Sequence, residues 1–384
     1  MNKAMKIFLI ILAVVAVVAI TAMLVLRHPA FGPYTFVHRT SSLCTSSPNW
    51  RNGMFQNEEP TPQFSRSMPA MLWDFITNPP KDRTPKEAIP AVKTDLNSLP
   101  TDRDWLVWFG HSSYMFQLGG KRYLVDPLLK MEFPAAVMMK PFKGTDLYTP
   151  DDMPDIDVLI ITHEHWDHLD YATLRDLRPK VKQVICPLGV GEYLEYWKYD
   201  KAIITEMDWY ESLTGENREA LIVPSGKEAG LTAERSNSET VQQRSGHKVT
   251  CLPTRHFSNR LIGGRNQTLW AAFMVEANGR KVYVGGDGGY DGRFKRIRKQ
   301  FGQVDLALLE NGQYNSDWPL IHSTPEGLEQ AILDLDAKAV FTVHHDKFAL
   351  AKHPWSEPDS IARSIAERND IRLLDQPIGT VIDF

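Results

Sequence analysis

Apolar residues along the 384-residue chain follow three different patterns. The first is an unbroken run from Ile7 to Leu26, IFLIILAVVAVVAITAMLVL, with neither charge nor proline. As a helix rising about 1.5 Å per residue it covers the ~30 Å hydrocarbon core of a bilayer. A cleaved signal peptide would have a shorter apolar region, about 7–15 residues, followed by a small-x-small cleavage site. Arg27, His28 and Pro29 offer no such site, so residues 1–27 are expected to form a cytoplasmic tip and an uncleaved single transmembrane helix. The second pattern, residues 28–100, is rich in Pro, Ser, Thr and Asn with short apolar runs such as MLWDFI, and reads as an extended lead-in that wraps a core.

The third pattern occupies residues 101–384. WLVWFG, SYMFQL and KRYLVDP read as strands, the last two joined at Gly119-Gly120, and DVLIITH (157–163) is a short continuous apolar run of the kind a buried strand shows. YATLRDL and GEYLEYWKY carry helical spacing on either side of the strand VKQVICP. A polar tract at about 214–247 interrupts the pattern as a surface insertion. Beyond it come KVTCLPTRH, the strand pair LWAAFMVEANGRKVYVGGD turning at Asn278-Gly279, and the helix GRFKRIRKQF. VDLALLE, TPEGLEQAILDL, AKAVFTVHH and DSIARSIAERN then alternate strand and helix to the end. A strand-rich first half and an alternating second half fit an α/β fold of two packed sheets with helices outside.

Composition narrows this only a little. Apolar residues make up 43% of the chain and charged residues 23%, ordinary globular values. A net charge of −4 without a basic stripe sets nucleic acid aside as a partner. Cys44, Cys186 and Cys251 are odd in number and form no CxxC pair, which argues against a zinc ribbon or a disulfide framework. Lys3 and Lys6 before the span, against Arg27 and Arg39 after it, weakly place the catalytic part on the periplasmic or extracytoplasmic side.

The sharpest chemical signal is T-H-E-H-W-D-H at 162–168, four metal-ligand side chains within six positions directly after a buried strand. Imidazole and carboxylate suit zinc, and also iron or manganese. His163 and His165 project to one side of an extended turn, leaving Asp167 and His168 to face a second point, so the spacing suits two divalent metals better than one. Two metals need further donors. His256, Asp287 among Gly285, Gly286, Gly288 and Gly289, and the pair His344 and His345 each end a strand-like run.

In these stretches the sequence resembles the metallo-β-lactamase superfamily, through HxHxDH, a later His, an Asp in a GD turn and a final His after a strand. It is similar in particular to the branch of N-acyl-phosphatidylethanolamine-hydrolysing phospholipase D and the ascorbate-phosphate lactonases. That likeness runs through PNWRNGMFQN (48–57), WFGHSSYMFQLGGKRYLVDP (108–127), MDWYESL (207–213), PTRHFSNR (253–260), GGDGGY (285–290) and VHHDKFAL (343–350). The resemblance implies an αββα sandwich after the transmembrane helix. It implies one metal on His163, His165 and His256, a second on Asp167, His168 and His344, and Asp287 bridging them. Asp167 would also orient the nucleophilic water, His322 would contact the leaving group or oxyanion, and His111 would lend support from behind. Two departures from the family pattern are Gly288 where Thr is usual, and His345-Asp346-Lys347, which places polar bulk beside the site.

Together these readings predict a membrane-anchored dinuclear hydrolase, with a phosphodiesterase acting on phospholipid as the leading expectation. Lactone or carboxylic ester hydrolysis on the same metals is the near alternative. A non-catalytic, membrane-tethered metal-binding protein is the alternative of another class. The partners expected are the lipid bilayer and a lipid or small phosphorylated or ester substrate.

Overall fold

A computed structural model describes residues 3–33, 41–215, 220–221, 246–260 and 264–384. Arg39 and most of the polar tract at 214–247 lie outside the described residues. Two seven-stranded sheets pack face to face. The first runs in the order Val381–Asp383, Trp105–Trp108, Tyr114–Leu118, Lys121–Val125, Val158–Ile160, Val184–Pro187, Ile204–Met207. Its first four strands are mutually antiparallel and the remainder run parallel. The second sheet, Ala220–Leu221, Ser212–Thr214, Lys248–Leu252, Ala272–Ala277, Arg280–Val284, Leu306–Glu310, Val340–Val343, likewise passes from antiparallel to parallel pairing.

Strand alternation explains the layering. In Leu306–Glu310, Leu306 and Leu308 enter the core between the sheets, while Ala307 and Leu309 join Phe294, Ile297, Leu328 and Ile332 of the helices Arg293–Phe301 and Pro325–Leu335. On the first sheet Trp108, Phe116 and Val125 face inward, and Val107, Met115 and Leu124 pack on Leu174, Leu177 and Leu194 of the helices Tyr171–Leu177 and Gly191–Tyr196. Both faces of each sheet are therefore apolar, giving the αββα sandwich of the metallo-β-lactamase type. The two hairpins turn where expected, with positive φ at Gly119, Gly120, Asn278 and Gly279. All three cysteines are buried and free, Cys44 included.

The helix Lys3–Leu26 is long and apolar enough to cross a membrane, and none of its apolar window is buried against the rest of the chain. The segment just after it is held firmly. Trp197 Nε1 donates to Pro29 O (2.8 Å), Arg260 Nε donates to Ala30 O (3.0 Å), and Phe31 meets Trp166 edge-on at 5.2 Å. Trp166 belongs to the HxHxDH loop, so the base of the helix and that loop share a wall.

Candidate metal centre

Every strand that carries a candidate donor delivers it at its carboxy-terminal end, and these ends share one edge of the sandwich. His163 to His168 follow Val158–Ile160, His256 follows Lys248–Leu252, Asp287 follows Arg280–Val284, and His344 follows Val340–Val343. His111 turns between Trp105–Trp108 and Tyr114–Leu118. His111 and His344 both have left-handed backbone (φ 53° and 75°), and each donates its backbone N–H across the gap, His344 to His111 O and His111 to His345 O.

Two nests of donors result. His165 Nδ1 lies 2.9 Å from His163 Nε2 and 3.1 Å from His256 Nε2. His111, Asp167, His168 and His344 form the second nest, with Asp167 Oδ2 3.6 Å from His168 Nε2. Asp287 stands between them. Its Oδ2 is 3.8 Å from both His163 and His256 and 3.2 Å from His168, and its Oδ1 is 3.4 Å from His344. His322 Nδ1 comes within 4.0 Å of the same carboxylate. All seven residues read as donors thus converge, with His322 beside them.

The hydrogen bonds on the far side of the rings fix which nitrogen faces inward. His256 Nδ1 is 2.7 Å from the Ile321 carbonyl, which can only accept, so Nε2 holds the lone pair. Thr162 Oγ1 donates to Asp126 Oδ2 at 2.6 Å and can therefore accept from His163 Nδ1 at 3.0 Å. Asp126 also accepts from His168 Nδ1 at 2.8 Å, leaving His168 Nε2 buried and without a hydrogen-bond partner. Three inward lone pairs around a buried carboxylate fit a cation and fit little else.

Burial, and then the neighbouring rings, hold His163 and His256 well below the ordinary imidazole range; burial and His111 do the same for His344. Burial takes His165 down to about 3, against Asp167. The neutral ring is the form that binds metal. His168 is the exception: burial disfavours its charge, but Asp287, Asp167 and Asp126 outweigh burial and raise it well above the usual value. Burial lifts Asp287 to about 6 despite His168. Asp167 is only partly exposed and desolvation opposes its charge, yet His168 and His111 hold it well below the usual carboxylate range. The pocket is short of positive charge.

Sequence reasoning missed the residues that hold the donors in place. Asp126 ends Lys121–Val125 and braces both Thr162 and His168. Glu310 ends Leu306–Glu310 and takes His322 Nδ1 at 2.9 Å and the Ser323 N–H. Ser112 Oγ is 2.7 Å from His344 Nδ1. His111 Nε2 meets Asp167 Oδ2 at 2.9 Å, the contact that supports Asp167 from behind. A carboxylate or serine directly after an apolar strand was the only signal available for the first three.

One expectation needs correction. His345, Asp346 and Lys347 do not crowd the donors. His345 turns to Thr342, Asp346 and Asp359, and Lys347 Nζ is buried, donating to Phe109 O (3.1 Å) and Leu128 O (2.9 Å). The reason is local backbone: left-handed φ at both His344 and Asp346 sends successive side chains to opposite sides of the strand end. The Gly288 departure has a steric cause, since a Cβ there would lie 1.9 Å from Thr254 Oγ1, whose hydroxyl donates to Asp287 O.

Beside the donors, Leu128, Ala135, Met139 and Phe348 form a small apolar cluster with Met131, Trp166 and Leu350 packed on it, and Phe133, Val137 and Met138 stand exposed at its margin.

An αββα sandwich with a His/Asp cluster able to bind metal at one sheet edge defines a metal-dependent hydrolase of metallo-β-lactamase fold. Residues 121–345 match the family described as "Beta-lactamase superfamily domain", and the chain belongs to that family. Among its relatives, the Mycobacterium tuberculosis protein Rv0906 is 32% identical over 348 residues, 88% of this chain and 84% of that one. The mitochondrial N-acyl-phosphatidylethanolamine-hydrolyzing phospholipase D of Saccharomyces cerevisiae is 28% identical over 267 residues, 68% of this chain and 51% of the enzyme, so the match spans about half of its length. In fold the chain is similar to CmlA, a diiron beta-hydroxylase from Streptomyces venezuelae, with a TM-score of 0.52 at 17% identity over 74% of this chain and 55% of that one.

Proposed function

We propose that the chain is a membrane-anchored dinuclear phosphodiesterase that hydrolyses phospholipid. The observation that carries this reading is Asp287 standing between two nests of inward-facing donors. His163, His165 and His256 would hold one divalent cation, Asp167, His168 and His344 the other, and Asp287 both. Zinc suits the nitrogen-rich nest, and iron or manganese suits these donors as well. Bound cations would supply Lewis acidity, bringing water's pKa toward neutrality and offsetting charge on a phosphoryl oxygen.

The protein's own residues have distinct tasks. Asp167, partly exposed to the cleft and anchored by His111, accepts a hydrogen bond from the attacking water and so orients it; the water's proton passes to solvent, because a carboxylate held well below its usual range is a poor base. The water oxygen bonds to phosphorus as the bond to the leaving alkoxide breaks. His322, also partly exposed, has its charged form favoured by Glu310 against burial and passes a proton to that alkoxide. The apolar margin at Phe133, Val137 and Met138 and the membrane-length helix, whose following segment docks on Trp166 through Phe31, support a lipid substrate, as does the likeness to the yeast phospholipase D.

Metal content of the full-length protein in detergent, measured together with turnover of N-acyl-phosphatidylethanolamine and of bis(p-nitrophenyl) phosphate, tests the proposal. Phosphodiester turnover lost on chelation and restored by divalent metal is expected. Metal-dependent turnover of lactones or carboxylic esters alone would overturn the phosphodiesterase reading, and absence of bound metal would overturn the reading entirely.

A further inference from the structure

A second group of donors lies behind the strand end, away from Asp287. His345 is 3% exposed, and its Nδ1 is 3.5 Å from Asp346 Oδ2 and 3.5 Å from Asp359 Oδ1. Its other nitrogen, Nε2, is 3.2 Å from the Thr342 carbonyl, which can only accept, so the ring proton belongs there. In the neutral ring, the form that binds a metal, the lone pair of Nδ1 then points at two carboxylates. Nδ1 has no hydrogen-bond partner, and neither does the buried Oδ1 of Asp346.

The spacing decides between a proton and a larger cation. An N–H···O bond prefers about 2.7–3.2 Å. Two donors about 2.1 Å from a tetrahedral ion sit about 3.4 Å apart. The observed 3.5 Å matches the second geometry. The charges agree. Arg363, a cation lining the same cavity, is paired directly with Asp375 and acts on Asp346 and Asp359 only through space, which leaves the imidazole as their near neighbour. The cavity of about 250 Å³, walled by Trp108, Phe341 and Leu374, gives an ion and its remaining water ligands a way in.

We infer that His345, Asp346 and Asp359 form a separate site for one divalent transition metal, distinct from the centre around Asp287. An imidazole with two carboxylates selects zinc or manganese over calcium or magnesium. The ion would tie the loop after Val340–Val343, which presents His344, to Asp359 on the helix Glu357–Asn369, and so act as a structural clamp.

The test uses zinc and the full-length protein in detergent, stripped with chelator, reloaded and desalted. Asp359→Asn is expected to retain about one zinc equivalent fewer than the wild type. Equal zinc content in the two proteins would overturn the inference. Anomalous scattering at the zinc edge from the wild-type protein gives a readout that does not depend on the variant folding. A peak among Nδ1 of His345 and the two carboxylates is expected, and an empty map there at zinc saturation would overturn the inference. Because that peak is separate from density around Asp287, the clamp and the dinuclear centre stand or fall independently.

Discussion

Asp126 illustrates how much of this site rests on residues that touch no substrate. One carboxylate takes the Thr162 N–H and hydroxyl and the His168 ring, fixing two of the inward lone pairs. Asp126→Asn keeps the size but presents an amide N–H₂ where an acceptor is needed. It is expected to weaken metal retention about 10–100-fold, as read by competition with a chromogenic chelator. His165→Ala removes a donor outright and should abolish hydrolysis while leaving circular dichroism unchanged; full activity in that variant would sink the dinuclear mechanism. The two substitutions also mark what could be read from sequence. Four donors packed into six positions announce a metal site by density alone. Asp126 in YLVDP and Glu310 in LALLE look like any acid closing a strand, and their partners are set by how the two sheets pack. His345 was ambiguous because the backbone reversal that separates it from His344 leaves no mark in composition.

At the level of elements, the turn after Arg280–Val284 is tightly fitted. Gly288 leaves room for Thr254, whose hydroxyl holds the Asp287 carbonyl. Gly288→Ala should therefore cost about 1–3 kcal/mol by overpacking, and Gly288→Ala with Thr254→Ala should regain part of it; denaturant titration of the four proteins gives the coupling. A second case lies in the helix Gly191–Tyr196. Glu206 already accepts the N–H groups of Gly189 and Gly191, and burial together with that neighbouring carboxylate pushes Glu192 up to about 7. The folded chain thus holds a proton that the unfolded chain releases near pH 4.5. The stability this group contributes is complete below that pH and is lost as pH rises towards about 7. Glu192→Gln should raise stability by about 1–2 kcal/mol at pH 8, with no gain at pH 4, by thermal melts across that range. Most elements announced themselves through apolar runs, glycine-rich turns and helical spacing. Val381–Asp383 did not: three residues pair with Trp105–Trp108 from the far end of the sequence, and no local pattern encodes such a partner.

For the whole molecule, two packed sheets with helices outside were legible in a strand-rich first half and an alternating second half, and the αββα order in the family resemblance; strands apolar on both faces are what realise it. The docking of Pro29–Gly32 onto Trp197, Arg260 and Tyr193 was not legible, because it depends on single carbonyls and one glycine lying against a tyrosine ring. Removing residues 1–27 should leave turnover of a soluble phosphodiester largely intact. Removing residues 1–33 frees the Arg260 and Trp197 donors and uncovers Trp166, and should lower turnover of the same soluble compound several-fold. Equal activity of the two truncations would show that the docked segment contributes nothing to the site. Under the proposed function, with the helix as a membrane anchor, the same docking would set how the site meets lipid. A site fixed to the root of such an anchor would stay at one height and patrol a single leaflet. Encounters become two-dimensional, governed by lateral diffusion and by the mole fraction of substrate in that leaflet. Diluting the vesicles in buffer should leave the rate per enzyme unchanged, while diluting the substrate with inert lipid should lower it in proportion.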